Sequence, residues 1–75
     1  MTKRDILRDV RERCLQSARL TDDLKRHGLA IDEVKITAFD MRTGERFGEI
    51  QKGRSRRVEI FVDEHMKPYR YAVAL

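Results

Sequence analysis

Residues 33–62 read EVKITAFDMRTGERFGEIQKGRSRRVEIFV, and the fold turns on how this stretch pairs with itself. From Glu33 the apolar period is two: Val34, Ile36 and Ala38 alternate with Lys35, Thr37 and Phe39, the pattern of a strand with one buried face. Arg42-Thr43-Gly44 fits a three-residue hairpin loop, glycine supplying the left-handed residue of a bulged turn. A second strand then covers Arg46 to Gln51, with Lys52-Gly53-Arg54-Ser55 as the next turn. Val58, Ile60 and Val62 alternate in a third strand, Asp63 to Pro68 turns, and Tyr69 to Leu75 forms a fourth. With local connections throughout, the expected sheet is an antiparallel meander.

Working outward, residues 3–27 have a period of 3.6. Ile6, Leu7, Val10, Cys14, Ser17, Ala18, Thr21 and Leu24 fall on one stripe, with Leu20 at its edge. Thr2 and Asp5 are spaced as an N-terminal capping box, and Gly28 is placed to end the helix in a left-handed cap. Thr21-Asp22-Asp23 could open a second short helix, but the stripe stays in phase to Leu24, which favours a single helix. The expected class is therefore α+β: one domain over residues 1–75, a long N-terminal helix (about 3–27) on one face of a four-stranded meander (about 33–75).

Hairpin loops set register, and register decides which residues share a face. The three-residue loop pairs Phe39 with Phe47, Ala38 with Gly48 and Ile36 with Ile50. The next turns pair Ile50 with Val58, Phe47 with Phe61, Phe61 with Arg70 and Ile60 with Tyr71. Val34, Ile36, Ala38, Ile50, Val58, Ile60, Val62, Tyr69, Tyr71, Val73 and Leu75 then face the helix. The other face carries Lys35, Thr37, Glu49, Gln51, Arg57, Glu59, Arg70, Ala72 and Ala74, with Phe39, Phe47 and Phe61 in one row. A four-residue loop from Met41 to Gly44 would instead turn Glu49 toward the helix, an unfavourable burial of charge.

No second helix remains to cover the phenylalanine row, and contiguous exposed apolar surface marks interaction sites. The expected function is a non-catalytic binding or adaptor protein that forms a homodimer, or docks a protein partner, through Phe39, Phe47, Phe61, Arg70, Ala72 and Ala74. The alternative is an RNA- or single-stranded-DNA-binding module, in which the same rings stack bases. Phosphates would then meet the arginines opposite the helix core stripe, Arg4, Arg8, Arg11 and Arg19, and the cluster Lys52, Arg54, Arg56 and Arg57. Against these readings stand plainer ones: cross-strand aromatic pairs that only stabilise the sheet, and a solvated, salt-bridged helix face. Residues 3–27 hold eight basic and five acidic side chains, a net +3 of the chain's +4.

Composition narrows the classes further. The chain has 75 residues, 17 Lys+Arg against 13 Asp+Glu, and 40% hydrophobic content carried in regular periods, the mark of a folded domain. One cysteine excludes an intrachain disulfide and suits a reducing compartment. His27, His65 and Cys14 lack metal-ligand spacing, so no metal or cofactor is expected. The first 20 residues contain no long apolar run; neither a secretory leader nor a membrane span is expected, and the chain is expected in the cytoplasm. No nucleophile elbow or phosphate loop occurs, Cys14 falls on the buried stripe, and His65 has no visible orienting partner. Arg56 to Leu75, a basic strand, an acidic turn and a tyrosine-rich last strand, resembles the C-terminal end of RelE-type toxin nucleases. That likeness spans a quarter of the chain; such toxins begin with a strand before their helices, which this chain lacks, and no catalytic residue carries over.

Overall fold

The computed structural model describes residues 2–73, with the Arg56 side chain outside the description, so the expectations for Ala74, Leu75 and that guanidinium lie beyond it. Two helices, α1 (Lys3–Leu15) and α2 (Ala18–Arg26), precede a single 3-10 turn (Ile31–Glu33) and four strands. The strands are β1 (Val34–Phe39), β2 (Arg46–Gln51), β3 (Ser55–Val62) and β4 (Pro68–Val73).

α1 begins as expected: the Thr2 hydroxyl accepts from the Asp5 N–H and the Asp5 carboxylate accepts from the Thr2 N–H, both at 3.2 Å. The single long helix is not formed, however. It breaks at Gln16 and Ser17, four residues before the weak point expected near Thr21. Ser17 takes an extended conformation and caps α2, its Oγ accepting from the Leu20 N–H at 3.3 Å. The Thr21 hydroxyl donates back to the Ser17 carbonyl at 2.8 Å, so two short polar side chains satisfy the groups a break exposes. The break resets the helical phase. Leu20, expected at the stripe's edge, becomes fully buried with Val10, Cys14 and Leu24, while Ala18 turns to solvent. Gly28 ends α2 with φ +66°, as the sequence implied.

The sheet order is β2-β1-β3-β4, not the sequential order of a meander. β1 pairs antiparallel with β2 and parallel with β3, and β3 pairs antiparallel with β4. Residues 52–54 do not make a hairpin. They carry the chain past the start of β1, from one side of that strand to the other, and the Arg54 N–H donates to the Glu33 carbonyl at 2.8 Å. Gly53 makes the crossing possible. Its φ is +70°, and a Cβ built there would lie 2.4 Å from the Val34 carbonyl carbon and 2.5 Å from the Lys35 nitrogen. Only a residue without a side chain fits. The expected pairs of β2 with β3, Ile50 with Val58 and Phe47 with Phe61, therefore do not exist. In the last hairpin Phe61 stands opposite Arg70 and Ile60 opposite Tyr71, as read, but β4 starts at Pro68, which was expected in the turn, and Val62 pairs with Pro68 across an irregularity that leaves Tyr69 as the extra residue.

The first hairpin overturns the expected three-residue loop. Asp40 N–H bonds the Glu45 carbonyl and Gly44 N–H the Asp40 carbonyl, each at 2.8 Å, closing a four-residue loop over residues 41–44 with Gly44 at φ +76°. Glu49 is nevertheless kept off the helix layer, because β2 absorbs the offset. Phe39 pairs with Arg46, Ala38 with Gly48, Thr37 with Glu49 and Ile36 with Gln51, so Phe47 and Ile50 are the extra residues of two irregularities. A bulge costs less than a buried carboxylate without a partner.

Val34, Ile36, Ala38, Val58, Ile60 and Val62 pack against Val10, Cys14, Leu20 and Leu24, with Ile50, Tyr71 and Val73 at the margin. The core face is largely the expected one, with two departures: Tyr69, expected there, does not pack in the core, and Gln51, expected on the open face, is buried on the helix side. Its Oε1 accepts from Arg11 Nε at 2.9 Å, and its Nε2 donates to the carbonyls of Ile31 and Val34 at 2.8 and 2.7 Å. One amide thus ties α1, the 3-10 turn, β1 and β2, with its polar atoms satisfied.

Candidate functional site

Both helices lie on the Ile36 side of the sheet. The other side, populated by Lys35, Thr37 and Phe39 of β1 and Glu59 and Phe61 of β3, has no second layer among the described residues. At its centre lies a polar cluster. Glu59 accepts from the Thr37 hydroxyl at 3.2 Å and sits 4.0 Å from Lys35 Nζ and 3.9 Å from Arg46 Nη2, while Glu49 lies 3.6 Å from the same lysine. Side chains crossing from three strands cover Thr37, which is fully buried on a face that no helix covers. Such partly exposed ion pairs contribute at most about 1 kcal/mol each. Their larger effect is to occupy the face.

Beside this cluster lies the aromatic group. The Phe39 and Phe61 rings meet edge to face with centroids 5.4 Å apart, and the Arg70 guanidinium sits 5.2 Å from the Phe61 ring centre. Phe61 is therefore only 8% exposed: one ring and one guanidinium close over it. Phe47 does not join the row. Set in the β2 bulge, it is 58% exposed, with Met41 of the preceding loop at 60%. Of the expected interface residues, the structure groups Phe39, Phe61 and Arg70, opposes Ala72 to Glu59 on the same face, and holds Phe47 apart at a free edge. An unbroken row of three exposed rings is not present.

The arginine stripe is also redistributed. The break after α1 ends the continuity of Arg4, Arg8 and Arg11 with Arg19, and Arg11 is spent on Gln51. Arg8 pairs with Asp5 at 3.4 Å, Arg4 is exposed, and Arg19, also exposed, lines a cleft beside β4. Lys52, Arg54 and Arg57 are exposed around the crossing loop. There a cleft of about 510 Å³ is lined by Lys35, Lys52, Arg54, Glu49 and Glu59, so its charge is mixed.

Sequence reasoning missed a second cleft, of about 450 Å³, between α2 and the edge strand β4. Arg19, Leu20 and Asp23 line one wall, Tyr69, Tyr71 and Val73 the other. The Tyr71 hydroxyl donates to Asp23 at 2.5 Å. That carboxylate holds the phenol above its ordinary pKa, with burial adding to the rise and Arg19 opposing it. The sequence carried only a faint signal for this site, a Tyr-x-Tyr in the last strand; what it faces depends on where the helix breaks.

Among the described residues no group of three or more His, Cys, Asp or Glu is placed to hold a metal ion, and no helix is long and apolar enough to cross a membrane. Cys14 is fully buried, and burial raises its thiol from 9.0 to about 11, leaving it protonated and unreactive at neutral pH. No protein-family model, curated protein or solved structure matches the chain.

Proposed function

We propose that this chain is a non-catalytic binding domain whose open sheet face docks a protein, the simplest occupant being a second copy of itself. The observation that carries the reading is Phe47, 58% exposed on a bulged edge strand beside a sheet face left without a second layer. A ring held out in this way costs free energy in the isolated chain and gains it on contact. The face offers both signs of charge, Lys35, Arg46, Arg57 and Arg70 against Glu49 and Glu59, which lets it complement itself about a two-fold axis. The two carboxylates near its centre disfavour a phosphate backbone, and Phe61, closed over by Phe39 and Arg70, presents little ring surface to a base.

The test is sedimentation equilibrium across a hundredfold concentration range, for the wild type and Phe47→Asp. The wild type is expected to dimerise. The variant, whose new carboxylate would be desolvated in the interface, is expected to stay monomeric with an unchanged circular dichroism spectrum. A wild type that remains monomeric at the highest concentration refutes the dimer. A second reading, binding of single-stranded nucleic acid, is supported by exposed Lys52, Arg54 and Arg57 at the crossing loop. It requires binding that weakens with salt, log K falling by about 0.7 per phosphate neutralised for each unit of log salt, and it fails if no RNA or DNA pool shifts at low salt.

A further inference from the structure

Independently of the open face, we propose that the cleft between α2 and β4 binds an extended acidic peptide, which adds as a fifth strand to the free edge of β4. Three observations converge there. β4 pairs only with β3, so one edge of its backbone offers N–H and C=O groups to an incoming strand. Pro68 blunts only the first position, leaving Arg70 to Val73 able to pair. Beside that edge the cleft has an apolar floor, Leu20, Ile60 and Val73, which suits the alternate side chains of an extended segment.

Charge selects the occupant. Asp23, the one acidic side chain lining the cleft, is already engaged by the Tyr71 hydroxyl and lies 3.7 Å from Arg26. Arg19, on the same wall beside the Tyr71 hydroxyl, has no ion-pair partner among the described residues; the Arg70 guanidinium is turned to the opposite face, over the Phe61 ring. The site therefore carries uncompensated positive charge and favours a carboxylate beside the apolar side chain. A second copy is a poor occupant of this edge. Antiparallel pairing of β4 with β4 about a two-fold axis at Arg70 would bring the two strands' Arg70 residues together, a like-charge contact, and pairing about Tyr71 would leave no acidic side chain opposite Arg70.

The probe is a fluorescein-labelled hexapeptide of alternating glutamate and leucine, with the lysine–leucine counterpart as control, titrated by anisotropy and by amide NMR. The glutamate peptide is expected to bind at least tenfold more tightly than the control. Shifts should concentrate on α2 and β4, and alternate β4 amides should gain hydrogen-exchange protection. Arg19→Glu should invert the preference and Arg19→Gln reduce it, both with wild-type circular dichroism. Equal affinity for the two peptides, no binding at millimolar concentration, or shifts confined to the Phe39–Phe61 face would each overturn the proposal. Protection of the β4 amides by self-association without peptide would overturn it as well. The oligomeric state of Phe47→Asp bears only on the open-face reading, so the two can fail separately.

Discussion

Of the four glycines, Gly53 is the one this topology leaves no room to replace with alanine. At φ +70° a side chain costs about 1–2 kcal/mol of backbone strain before any contact is considered. The new methyl would also stand 2.4, 2.5 and 2.6 Å from the Val34 carbonyl carbon, the Lys35 nitrogen and the Val34 carbonyl oxygen. These are main-chain atoms of the central strand, so no side chain can swing aside, and the loop or β1 must move by roughly 1 Å, at the overpacking cost of about 1–3 kcal/mol. Loss of unfolded-state entropy returns about 0.4–1 kcal/mol. The net expectation is a loss of roughly 1–4.5 kcal/mol. For 75 residues a total stability of roughly 4–11 kcal/mol is ordinary, so the upper part of that range would leave little of the fold. Gly44→Ala is the control. Its φ is +76°, but the added methyl meets only a Phe39 ring carbon at 3.9 Å, so it carries the same strain and entropy contributions without the clash and should lie about 1–3 kcal/mol above Gly53→Ala in stability. Urea unfolding followed by circular dichroism measures both. If Gly53→Ala unfolds within 0.5 kcal/mol of Gly44→Ala, the chain does not cross β1 in this way.

Gln51→Leu should cost roughly 2–5 kcal/mol in the same assay, because it leaves the Ile31 and Val34 carbonyls and Arg11 without their partner; a change below about 1 kcal/mol would show that water replaces the amide. Phe61→Ala should destabilise by about 3–5 kcal/mol while Arg70→Ala costs at most about 1 kcal/mol, since the ring is buried and the guanidinium only covers it. Equal losses would mean that the cation, not the packing, holds the group. Burial keeps Cys14 protonated in the folded chain to about pH 11, whereas the unfolded thiol ionises at 9.0; this stabilisation is complete below pH 9 and is lost as pH rises toward 11. It amounts to roughly 2–3 kcal/mol, so the stability gap between wild type and Cys14→Ala should narrow by about that much across the interval, and a constant gap contradicts it. Tyr71, raised by Asp23, adds to the alkaline loss in the same direction.

The period of the apolar residues, by itself, determined the elements and most of the buried face. Val34, Ile36 and Ala38 cannot face water without exposing the core, and the pairing of Ile60 with Tyr71 follows from the same alternation in β3 and β4. The capping box at Thr2 and the stop at Gly28 were legible for the same reason: each is set by residues within one turn of chain. Tertiary structure decided the rest. Lys52-Gly53-Arg54 reads as a turn either way, and whether it closes a hairpin or carries the chain past β1 depends on which strand offers β3 the larger apolar contact. The break at Ser17 accompanies the burial of Leu20 and the bond between Asp23 and Tyr71, and the second of these contacts exists only once β4 is in place. Register in β2 was settled by burial of Gln51 and exclusion of Glu49 from the core, with two bulges absorbing the difference. Those bulges separated Phe47 from Phe39 and Phe61, dividing a row of three rings into a sealed pair and an exposed edge. Local sequence sets conformations of similar energy; the choice among them is made by nonlocal contacts, each worth a few kcal/mol, which form only in the assembled fold.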